Sequence, residues 1–85
     1  MASYEVQSKG RQGWQIVEVF DSYDHAYQCL TRADRSGQYR ELRLRKEYLD
    51  IRTGQVRGAT ISRAGQKEHE MAAREEKRLE KEAVH

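Results

Sequence analysis

The sequence predicts an α+β domain: a small, four-stranded, mostly antiparallel sheet of ββαββ order, with one packed helix and a charged C-terminal helix. Two patterns carry this prediction. An apolar, β-rich run at residues 14–20 leads directly into a helical pattern that ends at Gly37. Residues 39–49 then alternate apolar and polar side chains, as a strand with one buried face does.

The first hairpin is predicted from residues 4–8 and 14–20. Residues 4–8 alternate apolar and polar side chains, and Gly10 and Gly13 lie in the connection, where they suit a hairpin turn. Both faces of the second strand carry apolar groups, so we expect both to be covered at least in part. Period-two alternation divides this strand into Trp14, Ile16, Glu18 and Phe20 on one face and Gln15, Val17 and Val19 on the other.

The helix is predicted over residues 22–36. Asp21 or Ser22 can cap its first turn, and the carboxylate of Asp24 interacts favourably with the helix dipole there. Gly37 is placed to end the helix in a left-handed conformation. The stripe expected to pack on the sheet consists of Ala26, Leu30 and Ala33, with Tyr23, Tyr27 and Cys29.

The second hairpin is predicted from residues 39–49 and 55–61, with a turn at residues 50–54. The returning strand is the weaker pattern, because Gly58 interrupts it. Alternation in residues 39–49 places Leu42, Leu44 and Tyr48 on one face, and Glu41, Arg43, Arg45 and Glu47 on the other.

Residues 1–61 are predicted to form the folded domain and residues 62–85 a charged C-terminal helix or tail. This tail is rich in Ala, Glu, Lys and Arg, and its apolar stripe is narrow, so an isolated helix here would fray. The stripe consists of Met71, Ala72, Leu79 and Ala83. One packed helix cannot cover both faces of a sheet. The second face therefore needs the tail, a second protomer or another protein.

Length and composition narrow the function classes. A chain of 85 residues has room for one domain with a thin core, which makes a deep active site improbable. Cys29 is the only cysteine, so no internal disulfide can form, and a reducing, cytoplasmic setting is expected. We find no secretory signal pattern and no apolar run long enough to cross a membrane. Residues 32–57 hold eight basic side chains against four acidic ones.

Residues that could carry chemistry are few. His25 and Cys29 have a spacing that can place two metal ligands on one helix face, but no further ligand lies nearby in sequence. The glycines form no phosphate-cradling motif, and no pair of carboxylates suits acid–base catalysis. We therefore expect a non-enzyme with no metal, no cofactor, no small-molecule substrate and no membrane association.

Four features occur in a fixed order between residues 14 and 61. They are a tryptophan-led strand, an acidic cap before an Ala-containing helix, an Arg-rich strand that ends in Glu47 and Tyr48, and the turn Asp50-Ile51-Arg52-Thr53-Gly54. In this pattern the segment resembles small, uncharacterised domains of bacterial proteins. The resemblance implies the element order and the turn at Gly54, and it implies no activity, ligand or catalytic residue. The sequence fits a chain encoded by a bacterial host or by a phage.

Two functional hypotheses follow. In the first, the chain is an interaction module, adaptor, small subunit or inhibitor that binds another protein or a second copy of itself. The residues expected at this contact are Trp14, Ile16, Phe20, Arg43, Arg45 and Arg57. In the alternative, the chain is a nucleic-acid accessory protein that contacts phosphates through an arginine-rich hairpin. Its contact residues would be Arg40, Arg43, Arg45, Lys46, Arg52 and Arg57, for which the favoured interpretation is a solvated, ion-paired strand face.

Overall fold

The computed structural model of the chain describes the backbone of residues 2–83 and the side chains of residues 2–79. It confirms the predicted α+β fold, with a four-stranded antiparallel sheet and two helices. The strands lie in the order β2-β1-β3-β4. The elements are β1 (Ala2–Gly10), β2 (Gly13–Phe20), α1 (Tyr23–Ser36), β3 (Leu42–Asp50), β4 (Gln55–Ala64) and α2 (Gln66–Ala83).

Helix α1 begins at Tyr23, one residue after its predicted start, and ends at Ser36 as predicted. Ser22 occupies the N-cap position with an extended backbone, although its side chain makes no capping hydrogen bond, and Asp24 lies in the first turn. Gly37 adopts the left-handed conformation at φ 69°, and its N–H donates to the carbonyl of Asp34. Glycine meets this conformation without the steric penalty that a Cβ atom brings.

The hydrophobic core lies between α1 and one face of the sheet. This covered face carries Val6, Leu42 and Leu44, of which Val6 and Leu44 are completely buried. Burying a side chain of this size contributes about 1.5–3 kcal/mol. The helix contributes Ala26, Cys29 and Leu30, and the residues packed around this cluster are Tyr4, Phe20, Ala33, Tyr39 and Ala64.

Contacts with helix α2 explain why β3 begins later than predicted. The strand was expected from residue 39 but begins at Leu42. The carbonyls of Tyr39 and Arg40 accept hydrogen bonds from the backbone N–H groups of Gln66 and Lys67, at 3.3 and 2.9 Å. Tyr39 and Arg40 therefore anchor the first turn of α2. Strand β4 runs three residues past its predicted end. The division of the chain into a domain at residues 1–61 and a tail at residues 62–85 stays a prediction.

A β-bulge in β2 overturns one expected assignment of faces. Val6 pairs with Glu18, and the next residue of β1, Gln7, pairs with Ile16, so Val17 is an extra residue in β2. An extra residue reverses the alternation of faces on one side of the bulge. The prediction that Glu18 and Phe20 share a face with Trp14 and Ile16 is therefore wrong. Val19 moves to the Trp14 face, while Phe20 packs against the core.

Helix α2 projects from the domain. All its described side chains, at residues 66–79, are exposed, and the molecule extends 55 Å along its longest axis against 28 and 27 Å along the others. Of the three coverings that the sequence left open for the second face, the structure therefore does not show the tail. Ala83, predicted to extend the apolar stripe, lies outside the described side chains. Within residues 2–83, neither helix combines the length and apolar character needed to span a membrane.

Candidate functional site

The face of the sheet opposite α1, the open face, is the candidate functional site. Residues paired across antiparallel strands place their side chains on the same face. One row across the sheet runs Ile16, Gln7, Arg43, Arg63, and the next runs Val19, Glu5, Arg45, Thr60. The register adds Trp14 and Lys9 beyond the first row, and Glu47 and Gly58 beyond the second.

Trp14, on the edge strand β2, contacts two cations of this face. Its ring lies 4.0 Å from the guanidinium carbon of Arg43 and 5.9 Å from the ammonium nitrogen of Lys9, measured to the ring centroid. Arg43 Nε donates to the side-chain oxygen of Gln7 at 2.7 Å. The buried Gln7 therefore fixes the arginine that packs on the indole. Such cation–π contacts contribute about 0.5–2 kcal/mol, more as water is excluded.

An ion pair occupies the neighbouring part of the open face. Arg45 Nε lies 3.0 Å from Glu47 Oε1, and Arg45 Nη1 donates to Thr60 Oγ1 at 3.3 Å. Gly58 faces this pair from β4, and a Cβ atom at Gly58 would overlap with both Arg45 and Glu47. Gly58, predicted to interrupt the strand, lies within β4 and leaves room for the ion pair.

The strands place an excess of positive charge on the open face. Lys9, Arg43, Arg45 and Arg63 lie there, against the carboxylates of Glu5 and Glu47. Arg43 is directly opposite Arg63 in the register, an arrangement of like charges that disfavours the isolated domain. Partial burial lowers the pKa of Arg43, and the neighbouring charges of Arg45 and Arg63 lower it further. A carboxylate from outside the domain would relieve this repulsion.

Apolar side chains lie beside these charges on the edge strand β2. Ile16 is 58% exposed and Val19 is 53% exposed, and the half-buried Trp14 belongs to the same strand. More than half of the surface of Ile16 and of Val19 is therefore left uncovered by the described part of the chain. Aromatic and aliphatic groups bordered by arginine are typical of the central part of protein interfaces.

Four of the six predicted contact residues lie together. Trp14, Ile16, Arg43 and Arg45 share the open face. Phe20 packs on the covered face, and Arg57 pairs across the strands with Tyr48, which places it on the side of α1. Arg57 Nε lies 3.2 Å from Asp50 Oδ2. Phe20 and Arg57 are therefore separated from Trp14 by the thickness of the sheet.

Sequence reasoning missed several residues of the open face, among them Lys9, Val19, Gly58 and Arg63. The longer β4 brings Arg63 opposite Arg43, and the bulge brings Val19 to the face of Trp14. Alternation from residue 55 would place Arg63 on the covered face with Arg57, and Arg63 reaches the open face because Ile61 is an extra residue in β4, between Thr60 and Ser62. A bulge that displaces Val19 has no signal in period-two alternation.

The arginine-rich hairpin of the alternative hypothesis does not form one surface. Lys46 and Arg57 belong to the covered side by their register with Tyr4 and Tyr48. Arg52 lies in the turn between β3 and β4, where its N–H donates to the Asp50 carboxylate. Of the predicted set of six, Arg43 and Arg45 are the two that register places on the open face.

Cys29 and His25 do not form a reactive pair. Cys29 is buried and its sulfur lies 3.7 Å from Glu18 Oε2, while His25 is exposed. Burial raises the pKa of the Cys29 thiol, and the Glu18 carboxylate raises it further. The thiol is therefore a weak nucleophile near neutral pH. In residues 2–79, no group of three or more His, Cys, Asp or Glu side chains is arranged to hold a metal ion.

Comparison of the chain with protein-family models, with curated proteins and with solved structures finds no match. What the chain binds has therefore to be inferred from the residues of the open face themselves.

Proposed function

We propose that the chain is a non-enzymatic protein–protein interaction module, an adaptor, small subunit or inhibitor, that binds its partner through the open face. The observation that carries this proposal is the packing of Arg43 on Trp14 beside the exposed Ile16 and Val19. Tryptophan and arginine are the residue types most enriched where interfaces derive their binding energy. The setting we propose is the cytoplasm of a bacterium, with the chain encoded by the host or by a phage.

The charge of the open face specifies the chemistry of the partner. The proposed partner presents aromatic and aliphatic side chains to Ile16 and Val19, and it presents carboxylates to Arg43 and Arg63. Arginine donates parallel hydrogen bonds to a carboxylate, which gives both energy and orientation. The partner surface is therefore apolar at its centre and acidic at its border.

The same face offers a second candidate function, binding of single-stranded nucleic acid, because Trp14 with Arg43, Arg63 and Lys9 combines a stacking ring with cations. Two contacts make this the weaker candidate. Arg43 already packs on the ring of Trp14, and Arg45 is paired with Glu47. Nucleic-acid binding predicts an affinity that falls steeply with salt, since each neutralised phosphate releases counterions.

The test is affinity capture with the tagged full-length chain from a nuclease-treated lysate of the source organism, read by mass spectrometry. Trp14→Ala removes the aromatic side chain of the open face, and Ile51→Ala is the matched control, because Ile51 is 91% exposed in the turn after β3. We expect one stoichiometric protein partner with the parent chain and with the control, and its loss with Trp14→Ala.

Equal capture by Trp14→Ala, with an unchanged far-ultraviolet circular dichroism spectrum, would reject the open face as the binding surface. Recovery that disappears when nuclease is added would instead favour the nucleic-acid candidate. In that case a labelled single-stranded oligonucleotide should bind at low salt and be released as salt is raised.

A further inference from the structure

Helix α2 carries a second uncovered apolar surface. Met71 is 53% exposed and Leu79 is 63% exposed. With 3.6 residues per turn, Glu68 and Glu75 lie on the same side of the helix as Met71, Ala72 and Leu79. The described end of α2 therefore presents a stripe, the α2 stripe, in which carboxylates alternate with apolar side chains.

The α2 stripe complements the open face in apolar character and in charge. The open face offers the exposed Ile16 and Val19 together with the unfavourable pair Arg43 and Arg63. The stripe offers apolar side chains together with carboxylates, Glu75 being one. Packing of one on the other would remove apolar surface from water and bring opposite charges together.

The two surfaces cannot meet within one chain. Gly65 alone separates β4 from α2, and its N–H donates to Asp34 Oδ1 at 2.9 Å. A Cβ atom at Gly65 would lie 2.7 Å from the carbonyl oxygen of Arg40, so the link is tightly enclosed. His69 Nε2 is 2.9 Å from the Asp34 carboxylate, and Lys67 Nζ is 2.8 Å from Glu41. These contacts direct α2 away from the domain.

We propose that α2 of one chain packs across the open face of a second copy, and that the second copy returns its own α2, giving a dimer with two equivalent contacts. This inference rests on the proposed use of the open face and names its occupant. The lengths agree for a helix that lies parallel to the strands, since 18 helical residues span about 27 Å and the eight to ten residues of each strand span about 26–34 Å. Two equivalent contacts also double the buried area, as a closed two-fold assembly does.

Sedimentation velocity of the full chain, from micromolar to submillimolar concentration, tests the proposal. Leu79→Glu places a charge on the α2 stripe, and Ala73→Glu places the same charge on the opposite side of the helix. The parent chain and Ala73→Glu should convert from monomer to dimer, whereas Leu79→Glu should weaken the dimer by about tenfold or more.

A charge exchange tests the reciprocal arrangement. Glu75→Arg and Arg63→Glu each place like charges opposite one another in their own homodimers. In an equimolar mixture, both contacts of the mixed dimer pair unlike charges, so the mixture should dimerise more strongly than either variant alone. A parent chain that stays monomeric, a dimer that Leu79→Glu leaves unchanged, or a mixture no stronger than its components would each overturn the proposal.

These outcomes differ from those that reject the proposed function. A monomeric chain whose capture of another protein is still lost in Trp14→Ala would retain the open face as a binding surface and remove α2 as its occupant. A dimer that Trp14→Ala leaves unchanged uses another contact, such as the edge of β2, and overturns this inference.

Discussion

Arg43 and Trp14 are in contact across the full width of β1: the guanidinium carbon lies 4.0 Å from the indole centroid, although β1 lies between their strands in the sheet. Gln7 of β1 accepts a hydrogen bond from Arg43 Nε beneath this contact. Three strands are therefore joined on the open face by side chains, in addition to their backbone hydrogen bonds. Residues that serve only as solvated surface do not need such support.

Arg43→Met should lower the free energy of unfolding by about 0.5–2 kcal/mol, because the cation–π contact is lost while most of the aliphatic packing remains. Trp14 is the only tryptophan, so its fluorescence reports on this contact directly. Quenching by acrylamide should increase in the variant. Lys9→Met is the control, since Lys9 Nζ lies 5.9 Å from the ring. Equal effects of the two substitutions would contradict the special role of Arg43.

Gly65→Ala should destabilise the chain more than Gly13→Ala. Both glycines have positive φ, 111° and 106°, so alanine is strained at either position by about 1–3 kcal/mol. At Gly13 the added Cβ atom meets open space, whereas at Gly65 it meets the backbone of Arg40 and Glu41. Urea unfolding of the two variants measures the difference. Similar losses would mean that the enclosure of Gly65 does not hold α2.

Glu41 should make the anchoring of α2 sensitive to acid. The hydrogen bond from Lys67 holds the pKa of Glu41 below its ordinary value of 4.5, and the charges of Lys67, Lys9 and Arg40 act in the same direction. A pKa lowered by folding stabilises the folded state above the unfolded-state pKa, and this contribution is lost as the pH falls through the folded-state value. Glu41→Gln should therefore be less stable than the parent near pH 7 and equal to it in strong acid.

Urea unfolding across this pH range measures that difference. Glu76→Gln, an exposed position of α2, is the matched control and should leave the pH dependence unchanged. A gap between parent and Glu41→Gln that persists undiminished in strong acid would show that the lost contribution is not the ionised carboxylate.

Leu44→Ala should lower the free energy of unfolding by about 2–5 kcal/mol, because it leaves a cavity in a fully buried position. A domain of this size has only about 5–15 kcal/mol in total, so this loss is a large fraction of its stability. Ile51→Ala removes a side chain that is 91% exposed and should change stability by less than about 0.5 kcal/mol. Thermal unfolding followed by circular dichroism distinguishes the two.

Cys29 should react slowly with thiol reagents in the folded chain. Burial and the nearby Glu18 keep its pKa above the ordinary value of 9.0, so little thiolate is present near neutral pH. Glu18→Gln should speed the reaction with iodoacetamide, and urea should speed it further by exposing the thiol. A parent chain that reacts as fast as a free cysteine would reopen a nucleophilic role for Cys29.

The fold was largely predictable because its signals are local. The alternation around Leu42 and Leu44 identifies the covered side of β3, and the left-handed stop at Gly37 ends the helix where it was expected. The bulge at Val17 was not predictable, because it follows from how β1 and β2 pair and not from the composition of either strand. Its consequence is large, since it moves Phe20 from the open face into the core.

The candidate site was predictable only in part for a related reason. Trp14 and Arg43 could be assigned to one face from alternation, whereas the opposition of Arg43 and Arg63 depends on the register of β3 with β4. The anchoring of α2 depends on Asp34 in α1 and on Glu41 just before β3, and neither has a distinguishing pattern in the sequence. Contacts between distant segments therefore account for most of what was missed.

The most direct test of the open face is fluorine NMR of full-length chain labelled with 5-fluorotryptophan, which gives a single resonance from Trp14. It is recorded as the chain is concentrated and as nuclease-treated lysate of the source organism is added. We predict that the resonance shifts or broadens when a complex forms, and that Ile51→Ala behaves in the same way. A complex that forms while the Trp14 resonance keeps its position and width would contradict the assignment of the open face as the binding surface.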